Sequence, residues 1–434
     1  MLDSPAAPAS TQSVDNETGS RAESGIQHSD RVTTTAPVRA RQRARAAVAI
    51  TFAANGLLFG SWVPRIPEVK HDLHLSSAAL GVALLAPAVG SVLSMNIYGR
   101  ASARLGSARL TRISVVLFCA TGWLPGLAVN LATLWLTLLL WGMTIGGFDV
   151  VMNAQGVTVE EAYERPVLSG FHAAWSLGSL TGALVGGVAA GLGIPIAAQQ
   201  GAIGGVLMAG VLFAGRAYLL DPPHHAETTP RGTRHGMPEL RLLLLGIAGL
   251  FALLSEGAVA DWSGVLLREN LHAHAGQVGL AYAAFSATMT VGRLAGDRVV
   301  HALGRARSIA LLTAIGAAGL AAGMATSALI GTVVGFALLG IGLSVMVPVI
   351  FSTAADGAAP GPAIATVSTL GYTGFLAGPS AIGLVAEATS VPIALWLVPI
   401  FTTAGGILGI TAVRMTAGRR DASQIATSVR DGRR

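Results

Sequence analysis

A few ionisable and hydrogen-bonding residues stand inside otherwise apolar runs. Asp149 and Asn153 occur in Gly146-Gly147-Phe148-Asp149-Val150-Val151-Met152-Asn153, and on a helix their i, i+4 spacing puts both on one face. His172, Trp175 and Ser176 fall at i, i+3 and i+4, again one face, and Asn55 and Glu256 lie in two further apolar runs. A charge at membrane depth is costly unless it meets a partner or a wet cavity. The chemistry open to this set is therefore reversible protonation and hydrogen bonding to a polar solute. Asp149 and Glu256 are acids that lose a charge on protonation, and His172 titrates near neutral pH. Asn55, Asn153 and Trp175 supply donors and acceptors. The alternatives are structural: an interhelical hydrogen bond for Asn55 or His172, or an arginine pair near the inner membrane face for Asp149.

Other chemistry finds no support in the residue pattern. There is no serine–histidine or paired-carboxylate constellation, so an intramembrane enzyme is not expected. There is no phosphate-binding loop ending in Gly-Lys-Ser/Thr, which argues against ATP-driven pumping. Cys119 is the single cysteine and lies in an apolar run, and the His224–His225 pair lacks a Cys or acidic partner at ligand spacing. No metal and no cofactor are expected; a proton gradient would be the energy source.

Long helices must hold these residues. Of 434 residues 52% are hydrophobic and 12% charged, against about 25% charged in soluble domains. A spanning helix needs about 20 mostly apolar residues. Such runs lie near 44–63, 78–98, 111–128, 131–153, 168–191 and 195–217, and again near 241–262, 277–296, 308–327, 329–351, 364–387 and 390–412. The expected organisation is an all-α membrane protein of twelve transmembrane helices in two six-helix halves. A disordered tail (1–43) precedes a first bundle (44–218), a linker (219–240), a second bundle (241–412) and a C-terminal tail (413–434).

With the N-terminus inside, the arginines fall almost entirely on inner segments, and only Arg65, Lys70 and Arg268 lie on outer loops. This fits the positive-inside rule, with both termini cytoplasmic in a bacterial-type inner membrane. The arginines flank apolar runs rather than forming one basic domain, so nucleic acid is not an expected partner. A small-molecule substrate and the bilayer are, and a monomer is the expected state. Arg65, in Trp62-Val63-Pro64-Arg65-Ile66-Pro67, is a candidate gate of the outer mouth; with Trp62 and Trp262 it also fits an interfacial anchor.

The halves echo one another. Leu73 and Leu271, Gly81 and Gly279, and Gly106 and Gly304 all share one offset of 198 residues. Parallel six-helix repeats are a transporter architecture with the substrate site between the halves. After the second span the first half carries Gly99, Arg104 and Gly106, and the second carries Gly292, Gly296, Asp297 and Arg298. In these residues the chain resembles the major facilitator superfamily, whose signature has an acid at the position of Ala103. The resemblance implies the major facilitator fold and makes these seven residues candidates for a conformational latch.

Over Gly146–Gly187 the sequence is similar to the fucose-permease-like branch of that superfamily, with Asp149, Asn153, Glu160, His172 and Gly178 filling the corresponding places. This similarity implies that Asp149 lies in the central cavity and takes part in substrate binding or proton coupling, with His172 and Trp175 lining the same cavity. The first helix departs from the branch, with Asn55, Gly60 and Ser61 where sugar–proton symporters carry an acid. The expected function is secondary transport of a small solute by alternating access, proton-coupled, for a sugar-like or other polar metabolite. The alternatives are a drug or metabolite efflux exchanger of the same fold and a transport-inactive membrane receptor or scaffold.

Overall fold

The structure, a computed structural model, describes residues 37–163, 167–221, 239–356 and 360–431. Residues 1–36, Arg165 and the His224–His225 pair lie outside the described residues, as does most of the expected linker. The chain divides into Met1–Pro37 and a compact unit, Val38–Arg434.

Apolar backbone placed in lipid must satisfy its own hydrogen bonds, which a helix does within one segment. Twelve long helical segments are found among the described residues. The first six are α1 (Val38–Trp62), α2 (Ser77–Leu105), α3 (Ser107–Gly122), α4 (Leu131–Tyr163), α5 (Leu168–Gly191) and α6 (Ile196–Ala214). The second six are α7 (Leu240–Val265), α8 (Leu280–Leu303), α9 (Arg305–Ala325), α10 (Leu329–Leu343 continued by Met346–Ala355), α11 (Pro360–Ala388) and α12 (Leu397–Asp431). Ten of these are long and apolar enough to cross a membrane. The other two are α8, which carries Arg293, Asp297 and Arg298, and α11, which has Pro379 inside it. α1 begins six residues ahead of the expected span and α12 runs well past residue 412, because the Arg- and Ala-rich flanks are good helix formers outside the apolar stretch.

The repeat is visible in the backbone. Gly106 (φ +80°) separates α2 from α3, and Gly304 (φ +76°), 198 residues on, separates α8 from α9. These left-handed turns suit glycine, which has no Cβ to clash. His74 and His272, at the same offset, both have φ +50°. Arg41 of α1 donates to the carbonyl of Ala162 at the end of α4 (2.9 Å), and Arg241 of α7 donates to that of Thr353 at the end of α10 (3.0 Å). Each arginine donates to a carbonyl in the last turn of a helix, where positive charge is favoured.

Packing follows the same pattern. α1 packs on α5, α2 on α4 and α3 on α6; in the second half α7 packs on α11, α8 on α10 and α9 on α12. The halves meet where α2 touches α11 and α5 touches α8.

Close approach of α1 and α5 depends on small residues. A Cβ added at Gly60 would meet the backbone of Ser179, and one at Gly182 would meet the carbonyl of Leu57. Gly182→Val should therefore destabilise the protein by about 1–3 kcal/mol through overpacking. Thermal melting of the detergent-purified variant checks this, and melting at the wild-type temperature would contradict so close a seam.

The aromatic anchors expected near the outer ends are not at the lipid interface. Trp62 is 4% exposed and Trp262 0%. Trp62 packs edge-on against Trp141 with centroids 5.9 Å apart; both rings face neighbouring helices, where edge-to-face pairing and burial favour them.

Candidate functional site

α1 and α5 bring the candidates of the first half together. Asn55 lies about 17 Å beyond Ala44, where the apolar stretch of α1 begins, at 1.5 Å per residue, about half of the roughly 30 Å hydrocarbon core. Its Oδ1 accepts from Trp175 Nε1 at 2.8 Å. Its Nδ2 is buried and has no partner. Phe52 stacks on Phe171 at 5.6 Å and meets the edge of His172 at 5.3 Å, while Phe59 lies 6.1 Å from Trp175. His172 itself is exposed and within electrostatic reach of Arg293 in the other half. An exposed imidazole between α1 and α8 faces the space between the halves.

In the second half Glu256 pairs with Arg293, Oε2 to Nη2 at 3.4 Å, with side chains 23% and 33% exposed. Tyr282 shares a 2.8 Å hydrogen bond with Ser179 across the halves and lies within electrostatic reach of Glu256 and Asp261. Asp261 is half-buried and makes no hydrogen bond or ion pair among the described residues. Neither Asp261 nor Arg293 stands out in the sequence. Asp261 is one carboxylate near the end of an apolar run, and Arg293 reads as one more inner arginine. The available signal was a second acid, Asp261, in the same apolar run as Glu256.

Asp149 and Asn153 partner each other: Asn153 Nδ2 donates to the Asp149 carbonyl (2.9 Å) and to Oδ1 (3.2 Å). Both are half-buried. Among the described residues no hydrogen bond or ion pair joins either of them to His172, Trp175 or Glu256. Glu160 Oε2 accepts from the backbone N–H of Val167 (2.7 Å) and Leu168 (2.8 Å), so it caps the start of α5.

The face away from the chain ends is held shut between the halves. Lys70 Nζ meets Glu269 at 2.6 and 2.8 Å. Glu387 accepts from the N–H of Ala78 (3.2 Å), and Ser380 donates to the carbonyl of Gly81 (2.9 Å). Arg65 does not face this seam as a free group. It is fully buried and donates to Gln199 Oε1 (2.7 Å), Glu68 Oε1 (2.7 Å) and the Ile194 carbonyl (2.8 Å), all in the first half.

Toward the face of the chain ends the signature glycines differ between halves. A Cβ at Gly99 would have open space, whereas one at Gly292 would meet Ser344 and one at Gly296 would meet Val345, where α10 is broken. Gly106 places Ser107 against Asp221, which accepts from the Ser107 N–H and from Thr158 Oγ1 (3.0 Å). Arg104, Asp297 and Arg298 are exposed, and none joins an ion pair among the described residues. Among the described residues no group of three or more His, Cys, Asp or Glu is arranged for a metal ion.

Comparisons with known proteins agree on the family. Residues 48–260 match the sequence model described as Major Facilitator Superfamily. An uncharacterized MFS-type transporter of Yersinia pestis is 35% identical over 80% of this chain and 89% of its own length. The membrane protein MosC of Rhizobium meliloti is 36% identical, over 83% of this chain and 87% of its own. Among solved structures, a bacterial homolog of the human lysosomal transporter Spinster, inward-facing and unoccupied, aligns with a TM-score of 0.69 at 13% identity, over 88% of this chain and 99% of that one. The nucleoside transporter NupG aligns with a TM-score of 0.68 at 12% identity, over 86% of this chain and 99% of that one.

Proposed function

The chain belongs to the Major Facilitator Superfamily, and from that premise we propose that this membrane transporter is a proton-coupled carrier of a small polar solute, working by alternating access. The observation that carries the reading is the arrangement of polar groups between the halves. Cross-half bonds tie the face away from the chain ends, at Lys70–Glu269, Ala78–Glu387 and Ser380–Gly81. Deeper in, His172, Glu256 and Arg293 keep exposed surface.

In this reading the solute binds between the halves and is released toward the face of the chain ends. His172 and the unpartnered Nδ2 of Asn55 offer hydrogen bonds, and the partly exposed rings of Phe59 and Trp175 offer stacking surface to a sugar-like or other cyclic solute. Protonation of Glu256 weakens its hold on Arg293. Asp149 and Asp261 are the other acids able to lose a charge inside the membrane. Closure on the solute would bring Arg104, Asp297 and Arg298 to new partners across the inner seam. The positive-inside rule makes the face of the chain ends cytoplasmic, in a bacterial-type inner membrane.

The aromatic wall also suits a larger, less polar solute, which supports export by exchange as the second reading. A thermal-shift screen of the purified protein against sugars, organic acids and common toxic compounds separates the two by which class stabilises. Uptake or exchange of the hit in vesicles then tests transport, and binding without movement would make the chain a receptor.

The outer seal gives a test of alternating access. Lys70→Glu puts like charges opposite Glu269 and should favour opening of that face. A cysteine at Ala183, buried on α5 where its carbonyl abuts Gly279 of the second half, in a background with Cys119 replaced by serine, should then react several-fold faster with a membrane-impermeant maleimide applied from outside. Unchanged labelling would contradict the assignment of Lys70–Glu269 as a closing contact.

A further inference from the structure

The outward side of α3 carries an unusual stripe. Arg109, Ile113, Val116 and Leu117 are all exposed and fall at i, i+4, i+7 and i+8, so they lie along one helix face. With Arg112 they line a hollow of about 320 Å³. Above it, a second hollow of about 370 Å³ lies between α3 and α6, lined among others by Cys119, Trp123, Gly201, Gly205 and Met208. The glycines keep the upper hollow open: a Cβ at Gly205 would meet nothing within 4 Å. From Ile113 to Trp123 the helix rises about 15 Å, which is half the roughly 30 Å hydrocarbon core, or one leaflet.

The lower end is basic. Arg112 Nε donates to the Gly215 carbonyl (3.1 Å), which brings it beside Arg216, whose guanidinium lies 5.3 Å from the Phe213 ring centroid. None of Arg109, Arg112 and Arg216 has a carboxylate partner among the described residues. Unpaired positive charge at the start of α3, followed along the helix by two apolar hollows, complements an anionic lipid.

We propose that the α3–α6 seam holds one anionic phospholipid, its headgroup on Arg109 and Arg112 and an acyl chain along Ile113 and Val116 into the hollow beside Gly205. The site lies on the outside of the first bundle, away from Asn55 and His172, and is independent of the transported solute.

Native mass spectrometry of the detergent-purified full-length protein tests it, with dioleoyl phosphatidylglycerol and dioleoyl phosphatidylcholine added separately. The wild type should retain one phosphatidylglycerol more tightly than phosphatidylcholine. Arg109→Gln and Arg112→Gln should each weaken phosphatidylglycerol about fivefold and leave phosphatidylcholine unchanged. Gly205→Leu, whose Cβ would meet nothing within 4 Å and whose branch occupies the hollow, should weaken both lipids. Equal retention of the two lipids by the wild type overturns the proposal, as does an unchanged phosphatidylglycerol preference in the double arginine variant. Full binding to Gly205→Leu also overturns it, because the acyl chain would then lie elsewhere.

Discussion

Glu256→Gln is expected to reduce proton-driven transport by at least about tenfold, equivalent to ~1.4 kcal/mol, while the protein still folds and binds its solute. Glutamine keeps the shape of the side chain and loses both the charge and the proton. Arg293, 3.4 Å away in the wild type, is left without its counter-charge inside the membrane. A central arginine costs about 2.5–3.5 kcal/mol to insert; the exposure of this pair lowers that figure here. The double variant Glu256→Gln with Arg293→Gln should recover thermal stability, because no lone charge remains, without recovering coupling. That split is diagnostic. A merely structural ion pair would recover both stability and transport in the double variant. Melting temperature and uptake, measured on the same preparations, decide between them.

Arg65→Ala is expected to have the largest effect on stability. The arginine is fully buried, and its removal deprives Gln199 Oε1 and the Ile194 carbonyl of their donors. Gln199 also holds the Ser61 carbonyl through Nε2 at 2.9 Å, so the end of α1 loses part of its tie to α6. Losses of this kind amount to about 2–4 kcal/mol. Arg65 also positions the short helix Ile66–Asp72, which carries Lys70, so its loss should loosen the outer seal indirectly. Arg65→Lys retains charge but not the planar fork of donors, and it should melt between the wild type and Arg65→Ala. A gate residue would behave differently, with Arg65→Ala changing transport while the melting temperature stays at the wild-type value.

Much of this fold is legible in the chain. Apolar runs of spanning length and arginines confined to alternate loops specify the helices, and the glycines at Gly106 and Gly304 mark the same turn in both halves. What escapes is which face of each helix looks at which neighbour. Trp62 and Trp262 have the composition and position of interfacial anchors, yet their rings point into the bundle, and period alone cannot distinguish a lipid-facing from a bundle-facing stripe in an all-apolar helix. Arg65 reads as a loop charge for the same reason: its partners Gln199 and Ile194 are more than a hundred residues away. Arg293 is counted among inner arginines because its pairing with Glu256 depends on how α8 packs on α7. Asp149 and Asn153 do share a face, as their spacing requires. Their relation to His172 is a question of helix rotation, which no local pattern encodes.

In the proposed function, solute movement is driven by protons through acids inside the membrane. Its most direct test is uptake into proteoliposomes, with and without an imposed pH gradient, of the solute identified by thermal shift. Accumulation above the external concentration is expected when the lumen is alkaline, with acidification of the lumen in step, and loss of both in Glu256→Gln. Equal uptake with and without the gradient, together with unchanged uptake by Asp149→Asn, Glu256→Gln and Asp261→Asn, would contradict it.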